Sequence, residues 1–76
     1  MRIFEVKPDK NYTLKIITED GLTGIFDVSP SLELEAFLWL KNPDAFHNVT
    51  NGKYFIEWDC GADLSADTIE AHLKTT

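Results

Sequence analysis

The sequence predicts a small α+β domain, an antiparallel sheet of four to five strands built from two hairpins, with two short helices packed on one side. Three observations carry that expectation. Two turn signals, "EDG" at residues 19–21 and "NG" at 51–52, are flanked by segments that alternate apolar and polar residues. Two other stretches open on a serine suited to capping a helix and continue with helical spacing. The length of 76 residues leaves room for one domain, residues 1–76. A chain this short buries only about 60% of its unfolded surface, so the core is single and small.

Taken in order, "RIFEVK" near residues 2–7 reads as a first strand that ends at Pro8, which has no N–H to give to a ladder. The first hairpin fixes its own register. A two-residue loop would pair Ile17 with Gly24 and leave Leu22, Phe26 and Val28 on the face opposite Leu14. A three-residue loop gathers Leu14, Ile16, Leu22, Phe26 and Val28 on one face and lets Gly21 take the positive φ that such a turn requires. The second solution is preferred, with strands near 11–18 and 22–28.

"SPSLELEAFLWLKNP" then reads as a helix of about ten residues, with Ser29 as N-cap, Pro30 at the first helical position and an end before Pro43. Leu34, Phe37 and Leu38 form one apolar stripe, while Leu32, Ala36, Trp39 and Leu40 spread over the other side. A short turn through 44–46 leads to the second hairpin. A two-residue Asn51-Gly52 turn pairs Val49 with Tyr54 and His47 with Ile56, making His47, Val49, Tyr54, Ile56 and Trp58 a core face. After Gly61, Ser65 caps a last helix from about Ala66 to Leu73, with Asp67 placed against its N-terminal dipole.

Composition excludes several classes of function. Seven basic residues against thirteen acidic ones give a net charge of −6, and the only arginine is Arg2. Nucleic-acid affinity comes largely from clustered Lys and Arg displacing counterions, so direct DNA or RNA binding is not expected. Glu57, Asp59, Asp63, Asp67 and Glu70 face only Lys74 near the end, a surface that would draw a basic partner protein. No apolar run approaches the roughly 18 residues of a membrane span, and the first ten residues do not build a signal-peptide core. The expected location is cytoplasmic. Cys60 is the only cysteine, so no internal disulfide is expected.

The stretch "WDCGADLSADTI", residues 58–69, concentrates the residue types from which chemistry is made. Cys60 with His47 or His72 has the composition of a thiol site, yet His47 falls on the expected core face and His72 at the end of the last helix. The same residues with Asp59 and Asp63 contain neither C-x-x-C nor H-x-x-x-H spacing, so no metal site is assigned. Asp59 and Asp63 as an acid/base pair would need a sheltered cleft that a domain of this size has little surface to build. No glycine-rich run precedes a Lys-Ser or Lys-Thr pair, so there is no phosphate loop. No catalytic residue and no cofactor are therefore expected. Asp63 is read instead as an Asx-turn residue, Trp58 as core, and Gly61, Leu64 and Ser65 as turn and cap. Surface apolar residues are more informative. Ile17, Ile25 and Phe55 share the sheet face away from the core, and a small monomer cannot bury both sides of the helix that carries Trp39. Trp39, Ile17, Ile25 and Phe55 are the candidate partner-binding residues.

The blocks "LKIITEDG", "FDVSPSL", "LKNPDAFHNV" and "IEWDCGADLS" resemble, in order and across nearly the whole chain, the small bacterial proteins of domain-of-unknown-function family 2442. The last block is the most specific, with Trp58, Gly61, Asp63, Leu64 and Ser65 matching that family's Trp-x-x-Gly-x-Asp-Leu-Ser signature. Thr18 stands where the family usually has a bulky apolar residue, and Cys60 where it often has Asn or Pro, which argues against a shared role for Cys60. The resemblance implies a compact α+β fold and no known enzymatic activity. It also implies a regulatory or antitoxin-like setting, since stand-alone members are often encoded beside another short protein. Two functions are weighed on these grounds. The first is a non-catalytic protein-interaction or regulatory module that binds a protein partner or a second copy of itself, acting through an acidic and partly apolar surface. The alternative is a small-ligand or metal-binding protein that uses the 58–65 turn.

Overall fold

The computed structural model describes residues 1–75. The chain forms two antiparallel sheets where the sequence suggested one. Strands β1 (Ile3–Asp9), β2 (Thr13–Thr18), β3 (Thr23–Asp27) and β7 (Lys74–Thr75) make the first, in the order β1-β2-β3-β7. Strands β4 (Val49–Asn51), β5 (Phe55–Trp58) and β6 (Asp63–Ser65) make the second. Two short α-helices, α1 (Pro43–His47) and α2 (Ala66–His72), precede β4 and β7.

Strand β1 runs through Pro8 instead of stopping there, which an edge strand tolerates because one row of its N–H groups has no ladder partner to lose. Ile3 and Val6 are three residues apart, an odd spacing that a regular strand cannot turn to one face. A bulge between Ile3 and Glu5 resolves it: Ile3 lies across from Thr18 and Val6 from Ile16, both toward the core, while Phe4 is left pointing out at 67% exposure.

Strands β2 and β3 pair with Leu14 across from Phe26 and Ile16 across from Gly24, the register set by a three-residue loop. Gly21 has φ 93°, and its N–H donates to the Thr18 carbonyl at 3.1 Å. Leu14, Ile16, Phe26 and Val28 are buried as expected, but Leu22 is exposed because it lies beyond the core at the turn end of the sheet. Buried Thr18 takes the inner position there.

The expected ten-residue helix is not an α-helix. A 3₁₀ turn at Ser29–Ser31 is followed by extended Leu34 (ψ 139°) and then by a 3₁₀ segment at Glu35–Lys41. With three residues per turn, Phe37 and Leu40 eclipse one another and both are buried, a stripe that α-helical spacing would have splayed. The capping function expected of Ser29 belongs to Asp27, whose carboxylate accepts the Ser29 N–H at 2.9 Å and its hydroxyl at 2.7 Å. The turn expected at 44–46 is helix α1, capped by Asn42, whose Oδ1 accepts the Asp44 N–H at 2.9 Å.

The centre of the molecule is aromatic. Phe46 of α1 stacks on Trp58 with ring centroids 6.1 Å apart, and Phe37 meets Trp58 edge-on. The Trp58 indole N–H donates to the Phe46 carbonyl at 2.9 Å, so burying Trp58 strands no donor. Tyr12 completes the cluster with an edge contact to Phe46 at 5.4 Å, while its hydroxyl donates to the Lys41 carbonyl. Its φ of 58° is costly for an aromatic residue, and the ring contact with Phe46 and the hydroxyl bond to Lys41 hold it there.

The second hairpin keeps Val49, Ile56 and Trp58 toward the core, but neither its expected register nor the inward places expected of His47 and Tyr54. Val49 pairs with Trp58 and Asn51 with Ile56, and the turn falls at Lys53 and Tyr54. Asn51 explains the slip. Its Oδ1 accepts the Lys53 N–H at 2.8 Å, and its Nδ2 donates to the carbonyls of Ile3 and Phe4 at 3.0 and 3.2 Å, stitching the hairpin to β1. Those bonds use Asn51 as a tertiary clamp and displace it from the centre of the turn. As a result Tyr54 is exposed, with the Arg2 guanidinium 5.4 Å from its ring centre, and does not join the core. His47 is likewise not a core residue: it ends α1, exposed, with Nδ1 2.8 Å from the Pro43 carbonyl oxygen.

Candidate interaction surface

The 58–65 stretch is a hairpin followed by a capped helix, not a strand handed directly to a helix. Asp59, Cys60 and Gly61 form a three-residue connection between β5 and β6, closed by Trp58 N–H to the Ala62 carbonyl and Gly61 N–H to the Trp58 carbonyl, each 2.9 Å. Gly61 has φ 96°, which only glycine takes without strain. Asp63 stands in β6 opposite Glu57, exposed, and the bonds that close the turn are these backbone bonds and not Asx bonds from its side chain. Leu64 is half-buried against the core. Ser65 caps α2, its hydroxyl oxygen accepting the Thr68 N–H at 3.1 Å. Among the described residues, no group of three or more His, Cys, Asp or Glu side chains is placed to hold a metal ion.

The structure separates the four candidate partner-binding residues. Ile17 and Ile25 lie half-buried on the outer face of the first sheet, Ile25 between Lys15 and Lys74 of the neighbouring strands. Phe55 lies in the second sheet, opposite Ser65, with its ring packed over Gly52 so closely that a Cβ there would sit 2.4 Å from it. The single apolar sheet face drawn from the sequence is thus divided between two sheets.

Trp39 is different. It is 73% exposed, so residues 41–46 do not fold back over it. The three-residue period that buries Phe37 and Leu40 turns Ala36 and Trp39 outward together. Leu34 and Leu38, nearby in sequence, are 58% and 44% exposed. Trp39, Ala36 and Glu35 line a shallow depression of about 500 Å³ whose fourth wall is Cys60, so the 59–61 turn and the 3₁₀ segment meet at the surface. Glu33, before that segment, is paired with Lys41 at 3.4 Å. The depression therefore sets the Trp39 indole and the Ala36 methyl beside one carboxylate, that of Glu35.

Sequence reasoning missed two exposed aromatics, Phe4 and Tyr54. Phe4 was available from the alternation alone, since Ile3 inward puts its neighbour outward. Tyr54 was not, because its exposure follows from the register slip that Asn51 imposes.

A family model described as "Protein of unknown function (DUF2442)" matches residues 3–75. No curated protein and no solved structure matches the chain.

Proposed function

The chain belongs to the DUF2442 family, and we propose that this member is a non-catalytic protein-interaction module, antitoxin-like in that its binding masks a basic partner. The observation that supports this most is Trp39. A 76-residue domain that has buried Phe46, Trp58 and Phe37 leaves a tryptophan 73% exposed, with Leu34 and Leu38 of the same stretch of chain exposed too. An exposed tryptophan with a carboxylate, Glu35, in the same depression has the residue types of a protein-binding patch, an aromatic anchor with charge beside it. The net charge of −6 selects for a partner of the opposite sign and speeds its approach.

The test is the native mass of a tagged full chain recovered from its own cells, alongside Trp39→Ala. The expected result is a stoichiometric small basic protein bound to the parent and missing from the variant. Recovery of the parent as a bare monomer overturns the reading. The variant should fold normally, because a side chain this exposed contributes within about 0.5 kcal/mol of stability.

A further inference from the structure

We infer that the depression beside Trp39 receives an arginine side chain of the partner, stacked on the indole and held by the Glu35 carboxylate. The inference rests on the interaction reading above and gives it a chemistry. Four observations carry it. The indole face is open to solvent at 73% exposure, and tryptophan is the best of the aromatic platforms for a guanidinium. Glu35 lines the same depression, where a carboxylate accepts the two parallel N–H groups of an arginine fork. Glu33 is already paired with Lys41, whereas Glu35 makes no ion pair within the chain among the described residues, so it is the acceptor left over. Ala36 contributes only a methyl group to the floor, leaving the volume of about 500 Å³ to an incoming side chain.

A second copy of this chain does not fit as the occupant. Its single arginine, Arg2, is engaged with Glu19 at 3.6 Å and lies over the Tyr54 ring. A symmetric pairing through Trp39 would also bring Glu35 of the same depression toward its own copy. Lysine fits less well than arginine, since an ammonium neither stacks as a plane nor makes a fork.

The test uses the full chain with fluorescently labelled octa-arginine and octa-lysine, followed by anisotropy at one fixed ionic strength. The arginine peptide is expected to bind about tenfold more tightly than the lysine peptide. Glu35→Gln should remove most of that preference, Trp39→Ala all of it, and Trp39→Phe only part. Circular dichroism and the melting temperature of each variant establish that it is folded. Equal binding of the two peptides by the parent, or an arginine preference that survives in Glu35→Gln, overturns the inference. Capture of the cellular partner separates the two levels. A partner lost by Trp39→Ala but kept by Glu35→Gln leaves the interaction reading standing and removes the arginine; a partner kept by both variants removes this surface altogether.

Discussion

The chain reverses at residues 19–21 and again at 59–61 by the same backbone route. In each, a glycine at φ 93° or 96° donates its N–H to the carbonyl three residues earlier, and the residues flanking the loop, 18 and 22 or 58 and 62, are joined by a backbone bond of 2.9 Å. What anchors the two differs. The first is closed by its own side chains: buried Thr18 accepts the Leu22 N–H at 3.0 Å and donates its hydroxyl to Asp20. The second is anchored from below by Trp58, whose bonds run into the core, and its outer side chains Asp59 and Cys60 are exposed. In the first turn the polar side chains are paired, Asp20 with Thr18 and Glu19 with Arg2 and Lys53; in the second, Asp59 and Cys60 are exposed, with Cys60 lining the depression beside Trp39. A shared backbone solution thus leaves one loop occupied and the other available to a partner.

That contrast can be broken at graded cost. Trp58→Ala should destabilise most, by about 3–5 kcal/mol in urea unfolding, since it empties the aromatic centre and releases the Phe46 carbonyl. Gly21→Ala and Gly61→Ala come next, at about 1–2 kcal/mol each. Neither added Cβ would meet an atom within 4 Å, so both costs are purely conformational and should agree within a few tenths. A markedly larger loss at position 61 would show that the second loop is held by more than its backbone. Thr18→Val should cost about 1 kcal/mol, the net worth of the hydrogen bonds it removes, with no counterpart at the other turn.

The smallest effect is a pH dependence confined to the first turn. The Thr18 hydroxyl holds the Asp20 carboxyl below the usual carboxylate range. A lowered folded pKa means that the stabilisation is present above the ordinary value of about 3.9 and is lost as pH falls through the lower folded value. Melting temperatures taken downward from about pH 5 should therefore fall slightly less steeply in Thr18→Val than in the parent. Identical slopes would show that the bond to Asp20 adds nothing.

How far these features are legible in the sequence depends on how local their causes are. Gly21, the Ser65 cap and Trp58 follow from neighbours within a few residues or from apolar alternation, and all three stand where that reasoning put them. The "NG" turn fails because Asn51 is claimed by the carbonyls of Ile3 and Phe4, 48 and 47 residues away. The helix expected at 30–42 fails because both α and 3₁₀ spacing suit a run with leucines on every side, and burial of Phe37 with Leu40 decides between them. Trp39 was readable as a surplus apolar residue. Its neighbour in the depression, Cys60, was not, since only the fold brings position 60 to position 39.

The bulge at Phe4 bears on how any partner is recognised. An edge strand ordinarily offers a row of backbone groups on which a foreign strand can be templated. Here β1 is bent at Phe4, has its Ile3 N–H taken by the Lys53 carbonyl at 2.7 Å, and contains a proline at position 8. The row is interrupted at both ends. Docking by strand addition, which reads little beyond an extended backbone, is disfavoured along this border. The proposed interaction would then rest on side chains, which can tell one neighbour from another.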